Sequence, residues 1–134
     1  MNTKILMTTS SLVLGLAGVF ALFAPQELLA ALNLQGSDPQ PIVIQILGSL
    51  YLSLAITNWI AKDSAIGGIF ARPTSMGNLT HFTIGVLILA KFLFTNGFHL
   101  PLLIALIVYS VFAGVFAWLV FVYSGTASQK NTQG

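Results

Sequence analysis

The stretch that most constrains the fold is residues 78–97, NLTHFTIGVLILAKFLFTNG. At about 1.5 Å of helical rise per residue, an apolar run of about 20 residues crosses a hydrocarbon core of roughly 30 Å. Backbone inside lipid must satisfy its own N–H and C=O groups, so such a run is a helix. It is the only run of that length in the chain with a charge inside it, Lys91, and three other runs repeat its length and apolar character.

Composition points the same way. The 134 residues are 56% hydrophobic and 6% charged, which is too little polar material to cover a soluble core of this size. The net charge of +2 rests on five basic and three acidic residues, so the basic balance reflects scarcity of charge. No basic patch offers a footprint for nucleic acid. The chain has no cysteine, which excludes disulfides, thiolate metal sites and the thiol chemistry of four-helix membrane oxidoreductases.

In chain order, Lys4 precedes a first apolar run, 5–24, that Pro25 stops. The rival reading of this run is a signal peptide, whose apolar region is usually shorter, about 7 to 15 residues. Residues 25–34, PQELLAALNL, carry leucines at helical spacing behind a proline suited to a first turn, and predict a short amphipathic helix in the interface. Gly36, Pro39 and Pro41 punctuate the next loop, and Pro41 opens a second span, 41–62, whose exit is marked by Asn58, Trp59 and Lys62. Residues 63–77, with Gly67-Gly68 and Arg72-Pro73, read as a polar connection holding one interfacial turn around Ile69 and Phe70. The third span is 78–97, residues 98–100 make a tight turn, and Pro101 starts the fourth span, 101–124, anchored by Trp118 and Tyr123. Residues 125–134 are a polar tail.

The expected fold is therefore an all-α integral membrane protein. It is one domain of four transmembrane helices in an antiparallel bundle, with a short interfacial helix after the first span. Four spans place both termini on one side, and Lys4, Lys62, Arg72 and Lys130 all fall on that side. By the positive-inside rule that side is cytoplasmic, at the cell's inner (plasma) membrane. The sequence has no internal repeat of the kind that marks inverted-repeat transporters.

Few residues are candidates for chemistry. Lys91 lies about four residues, or roughly 6 Å of rise, below the outer end of its span. A lysine at mid-span costs roughly 2.5 to 3.5 kcal/mol on insertion scales, less if its stem snorkels outward. Two readings stay open: an interfacial anchor, or an inward lysine that meets Glu27 or Gln45 in a ligand pocket under the outer surface. Glu27 is also favoured where it is by the helix dipole alone. On the inner side, His81 is expected at the level of Asn58 and the 8–11 hydroxyl cluster, either as a hydrogen-bonded interface histidine or in a proton relay. His99 lies at the opposite surface, so the two histidines cannot share a haem iron, and no metal site or other cofactor is implied.

Small and hydroxyl residues form stripes: Thr8, Ser11, Gly15 and Gly18; Gln45, Ser49, Ser53 and Thr57; Ser110, Gly114 and Ala117. These predict helix seams more readily than a conduction path. A proton-coupled exporter of this size needs a mid-membrane carboxylate, and no span contains one. No Ser, His and Asp constellation or phosphate loop is present, and the Asn78-Leu79-Thr80 sequon falls on the cytoplasmic side.

The first span ending in FAP, the following QELLAALNL, then QILGSLYLSLAITNW and the lysine-bearing third span resemble the small four-helix bacterial membrane proteins that include the DoxX-like families. The resemblance runs from Leu14 to about Tyr123. It implies a four-helix bundle and an accessory role beside a membrane enzyme, with no catalytic residues. The favoured function is thus a non-enzymatic accessory or structural subunit, contacting the lipid bilayer and either a second copy or another membrane subunit. The alternative is a binder or carrier of a small lipophilic molecule, a quinone or lipid, at Glu27, Gln45 and Lys91. An enzyme or an ion-coupled transporter is the third class.

Overall fold

The computed structural model describes residues 3–33, 39–63 and 71–123, and in those residues the protein is all-α. Its helices are α1 (Thr3–Phe23), α2 (Pro25–Ala31), α3 (Gln40–Ala61), α4 (Ala71–Asn96) and α5 (Leu100–Trp118), the last continued by a π-helical turn, Leu119–Tyr123. Among the described residues, four helices are long and apolar enough to cross a membrane: Thr3–Phe23, Gln40–Ala61, Arg72–Asn96 and Leu100–Val122. The chain divides into two compact units, Met1–Asp63 and Ser64–Gly134. Each is a helical hairpin.

In the first hairpin, Pro25 ends α1 and takes the first turn of α2, where its missing N–H costs nothing. Helix α2 is shorter than the expected 25–34. It buries Leu29 and closes at Leu32, and Asn33 follows in the left-handed region at φ 56°, which asparagine tolerates better than most residues. Helices α1 and α3 run antiparallel and touch backbone to backbone. A Cβ built on Gly18 would stand 2.9 Å from the Gly48 carbonyl oxygen, and one on Gly48 would stand 2.9 Å from the Gly18 oxygen. Only glycine at both positions permits that approach.

The buried face of α1 is Leu6, Met7, Ser10, Ser11, Leu14, Gly18 and Ala21, which recur at three- and four-residue spacing. On α3 the buried residues are Gly48, Ala55 and Asn58. Of the expected α3 seam, Gln45 bonds across to the Leu22 carbonyl of α1 although it is exposed, whereas Ser49, Ser53 and Thr57 are exposed and off the buried face. The hydroxyls of Ser49 and Thr57 bond instead to the carbonyls of Ile46 and Ser53 on their own helix, so neither needs a neighbouring helix. At the hairpin's open end, Lys4 meets Asp63 at 2.8 Å.

In the second hairpin, α4 begins at Ala71, ahead of the expected start at Asn78. Arg72-Pro73 is therefore the first turn of a helix and not part of a loop, since proline in a first turn gives up an N–H that has no helical partner anyway. Asn78 is fully buried, and its Nδ2 donates to the Thr74 carbonyl at 2.8 Å. The expected Gly67-Gly68 turn, the interfacial turn at Ile69 and Phe70, the Gly36 loop and the 125–134 tail lie outside the described residues.

Helix α4 packs on α5 through aromatic rings. Phe82 stacks on Phe112 and Phe116 with centroids 4.8 and 5.8 Å apart, and Phe82 and Phe116 are fully buried. Gly97, at φ 87°, turns the chain out of α4 while its N–H still bonds the Leu93 carbonyl. His99 is the extended cap of α5 and Pro101 sits in that helix's first turn. Of the expected α5 seam, Ser110 and Gly114 are exposed, and nothing stands within 4 Å of where a Gly114 Cβ would be.

Candidate functional site

The expected ligand trio is divided between the hairpins, with Glu27 and Gln45 in the first and Lys91 in the second. Glu27 is exposed in the first turn of α2, at the positive end of that helix's dipole. Gln45 donates from Nε2 to the Leu22 carbonyl at 3.1 Å, meeting one of the carbonyls left over at the end of α1. Lys91 is exposed on α4, and its carbonyl accepts the Thr95 hydroxyl at 2.9 Å. All three acidic residues of the chain, Glu27, Asp38 and Asp63, precede residue 64. The hairpin that carries Lys91 therefore contains no carboxylate to pair with it.

The expected inner cluster is divided in the same way, and each member has partners within its own hairpin. Asn58, on the buried face of α3, donates from Nδ2 to the Ser10 Oγ at 3.1 Å. Beside it the Ser11 hydroxyl donates to the Ala55 carbonyl at 2.7 Å. Both Ser10 and Asn58 are fully buried, where an unmet amide would cost on the order of 1 to 3 kcal/mol. This network closes α1 on α3.

His81, half-buried on α4, lies with Nε2 3.3 Å from the Tyr109 hydroxyl on α5. Either the phenol donates to a neutral ring nitrogen or the ring N–H donates to the phenol oxygen, according to the tautomer. Rings surround the pair: Phe82 meets His81 edge-on at 5.2 Å and Tyr109 edge-on at 5.1 Å. Gly85 makes the arrangement possible, because the Tyr109 ring lies directly over it in the space a Cβ would fill. Neither Gly85 nor Tyr109 is conspicuous in the sequence. The available signal was that Gly85 follows His81 by four residues and so shares its helix face.

One concave surface lies wholly on the first hairpin. It is an apolar groove of about 340 Å³ between α1 and α3, lined by Ser11, Leu12, Gly15, Leu16, Val19, Ala55, Ile56 and Trp59. The Lys62 ammonium lies over the Trp59 ring, 3.1 Å from its centroid. Next to it the hydrogen bond from Lys4 holds the Asp63 carboxyl below its ordinary value, with the charges of Lys4 and Lys62 adding to the effect. Among the described residues no three His, Cys, Asp or Glu side chains gather to hold a metal ion.

The chain matches no protein-family model, no curated protein and no solved structure.

Proposed function

We propose that the protein is a non-enzymatic accessory or structural subunit of a membrane assembly. In this reading the two hairpins form one antiparallel four-helix bundle of the DoxX-like kind in the bacterial inner membrane. Both termini are cytoplasmic, and α2 lies in the outer interface. The observation that carries the proposal is the state of the polar groups inside the spans. No span holds a carboxylate. The buried amide of Asn58 and the hydroxyl of Ser11 are bonded across α1 and α3, and Ser10 accepts the Asn58 amide. His81 is bonded across α4 and α5. Polar groups used this way fasten helices to one another, whereas transport or catalysis calls for charged groups held ready within the membrane.

The surface offered to a partner includes the face of α5 at Ser110 and Gly114, where a small-residue pair stands uncovered. Close helix approach at such pairs is a common mode of association in lipid. Gly114→Leu puts bulk on that face without touching the second hairpin's own packing. It is expected to reduce the particle size of the complex in mild detergent, and an unchanged size refutes this face as the contact. Reporter fusions after residue 36 and after residue 130 test the topology: the account requires opposite sides, and the same side for both defeats it.

A further inference from the structure

We propose that the α1/α3 groove holds one acyl chain of an anionic phospholipid, whose phosphate is met by Lys62. The groove follows one face of α1 from Ser11 through Gly15 to Val19, a drop of about 12 Å at helical rise. Its lining is almost wholly apolar, the Ser11 hydroxyl being turned to the Ala55 carbonyl. An apolar slot of that form suits a hydrocarbon chain and offers nothing to a polar solute.

Charge identifies the headgroup. Trp59 lines the end of the groove nearest the helix terminus, and the Lys62 ammonium lies on that ring. Asp63 is engaged by Lys4 at 2.8 Å. Lys62 also acts on Asp63 through its charge, but two ammonium groups against one carboxylate leave a net positive charge at the groove's mouth, where Lys62 sits on the lining ring. Basic residues placed between transmembrane helices at the membrane surface are a recurrent means of holding acidic headgroups, and Trp59 is of the residue type that settles at the same level. A phosphate is therefore matched at the mouth and an acyl chain below it. The lipid site is independent of the assembly reading, since a chain with no protein partner would still have it.

The test uses the full chain with Trp118→Phe, which leaves Trp59 as the only tryptophan. It is reconstituted in phosphatidylcholine vesicles that contain a stepped fraction of brominated phosphatidylglycerol or, in a parallel series, brominated phosphatidylcholine. Bromine quenches Trp59 when the brominated chain occupies the groove. The expected result is stronger quenching by the brominated phosphatidylglycerol at equal fraction, with a preference of about fivefold, the effect of one lysine near the membrane surface. Lys62→Gln should abolish that preference, Lys91→Gln should leave it intact, and Leu16→Phe, which fills the groove, should weaken quenching by both lipids. Equal quenching by the two lipids, or a preference that survives Lys62→Gln, overturns the headgroup assignment. Absence of quenching by either lipid means that protein, from another span or a second copy, fills the groove, and overturns the site itself.

Discussion

Gly18→Ala is the most direct perturbation of the first hairpin. The new methyl would stand 2.9 Å from the Gly48 carbonyl oxygen, the Leu52 backbone N and the Leu52 Cγ. Two of those three atoms are backbone, so the contact cannot be relieved by turning a side chain. Helix α3 has to move away from α1, and the Gly48 side of the crossing opens with it. Overpacking of this kind costs about 1 to 3 kcal/mol, while alanine in place of glycine returns up to about 1 kcal/mol of helix propensity. With that offset in full the net loss is at most about 2 kcal/mol against the parent, and about 1 to 3 kcal/mol against a variant that gains the propensity alone. Gly114→Ala is the control, because its methyl meets nothing within 4 Å and should show only the propensity gain. Unfolding both variants in a mild detergent by titration with a denaturing one, followed by circular dichroism, gives the difference. If Gly18→Ala unfolds no more readily than Gly114→Ala, the close crossing of α1 and α3 is wrong.

Asn58→Leu should destabilise the first hairpin by about 1 to 3 kcal/mol by removing the amide that donates to Ser10, whose hydroxyl keeps its own bond to the Met7 carbonyl, and by forcing bulk into a closed site; a double-mutant cycle with Ser10→Ala should give coupling of about 0.6 kcal/mol, as for other hydrogen bonds between membrane helices, and zero coupling removes the bond. Gly85→Ala should push the Tyr109 ring off α4 and, like Tyr109→Phe, shift the His81 ring resonances in an NMR spectrum; unchanged resonances in both variants would show that the pair does not form. The Lys4 contact lowers the Asp63 carboxyl from 3.8, so the ionised form contributes stability above that value and loses it as pH falls through the lower folded value. Asp63→Asn should therefore melt below the parent protein at pH 7 and approach it as the carboxyl protonates in acid, and a gap independent of pH contradicts the ion pair.

Much of the fold was legible because proline and hydropathy act locally. Pro25, Pro41 and Pro101 each fall where a helix starts, as the sequence predicts, and the first two spans end within a residue or so of their expected limits. Pro73 obeys the same rule and was misplaced, since Arg72 and the polar residues after it look like loop while in fact they form the first turns of α4. The hydroxyl positions of the α3 seam were misread for a different reason. In a soluble helix the polar side faces water and reveals the buried side, but in lipid both sides are apolar and hydroxyls can be satisfied by their own helix, as Ser49 and Thr57 are. The buried side was carried by Gly48, adjacent in sequence to Ser49 but about 100° around the helix. The His81–Tyr109 pair depends on the register of two helices 28 residues apart in the chain, which no local pattern encodes.

Native mass spectrometry of the protein released from the membrane under mild conditions bears most directly on its proposed role. An accessory subunit is expected as part of a particle whose mass exceeds the 14.3 kDa chain by a second protein chain, of its own kind or another, and Gly114→Leu should reduce the share of that particle. A wild-type chain that emerges alone, carrying at most a lipid or other small lipophilic molecule, would contradict the subunit role and favour a carrier.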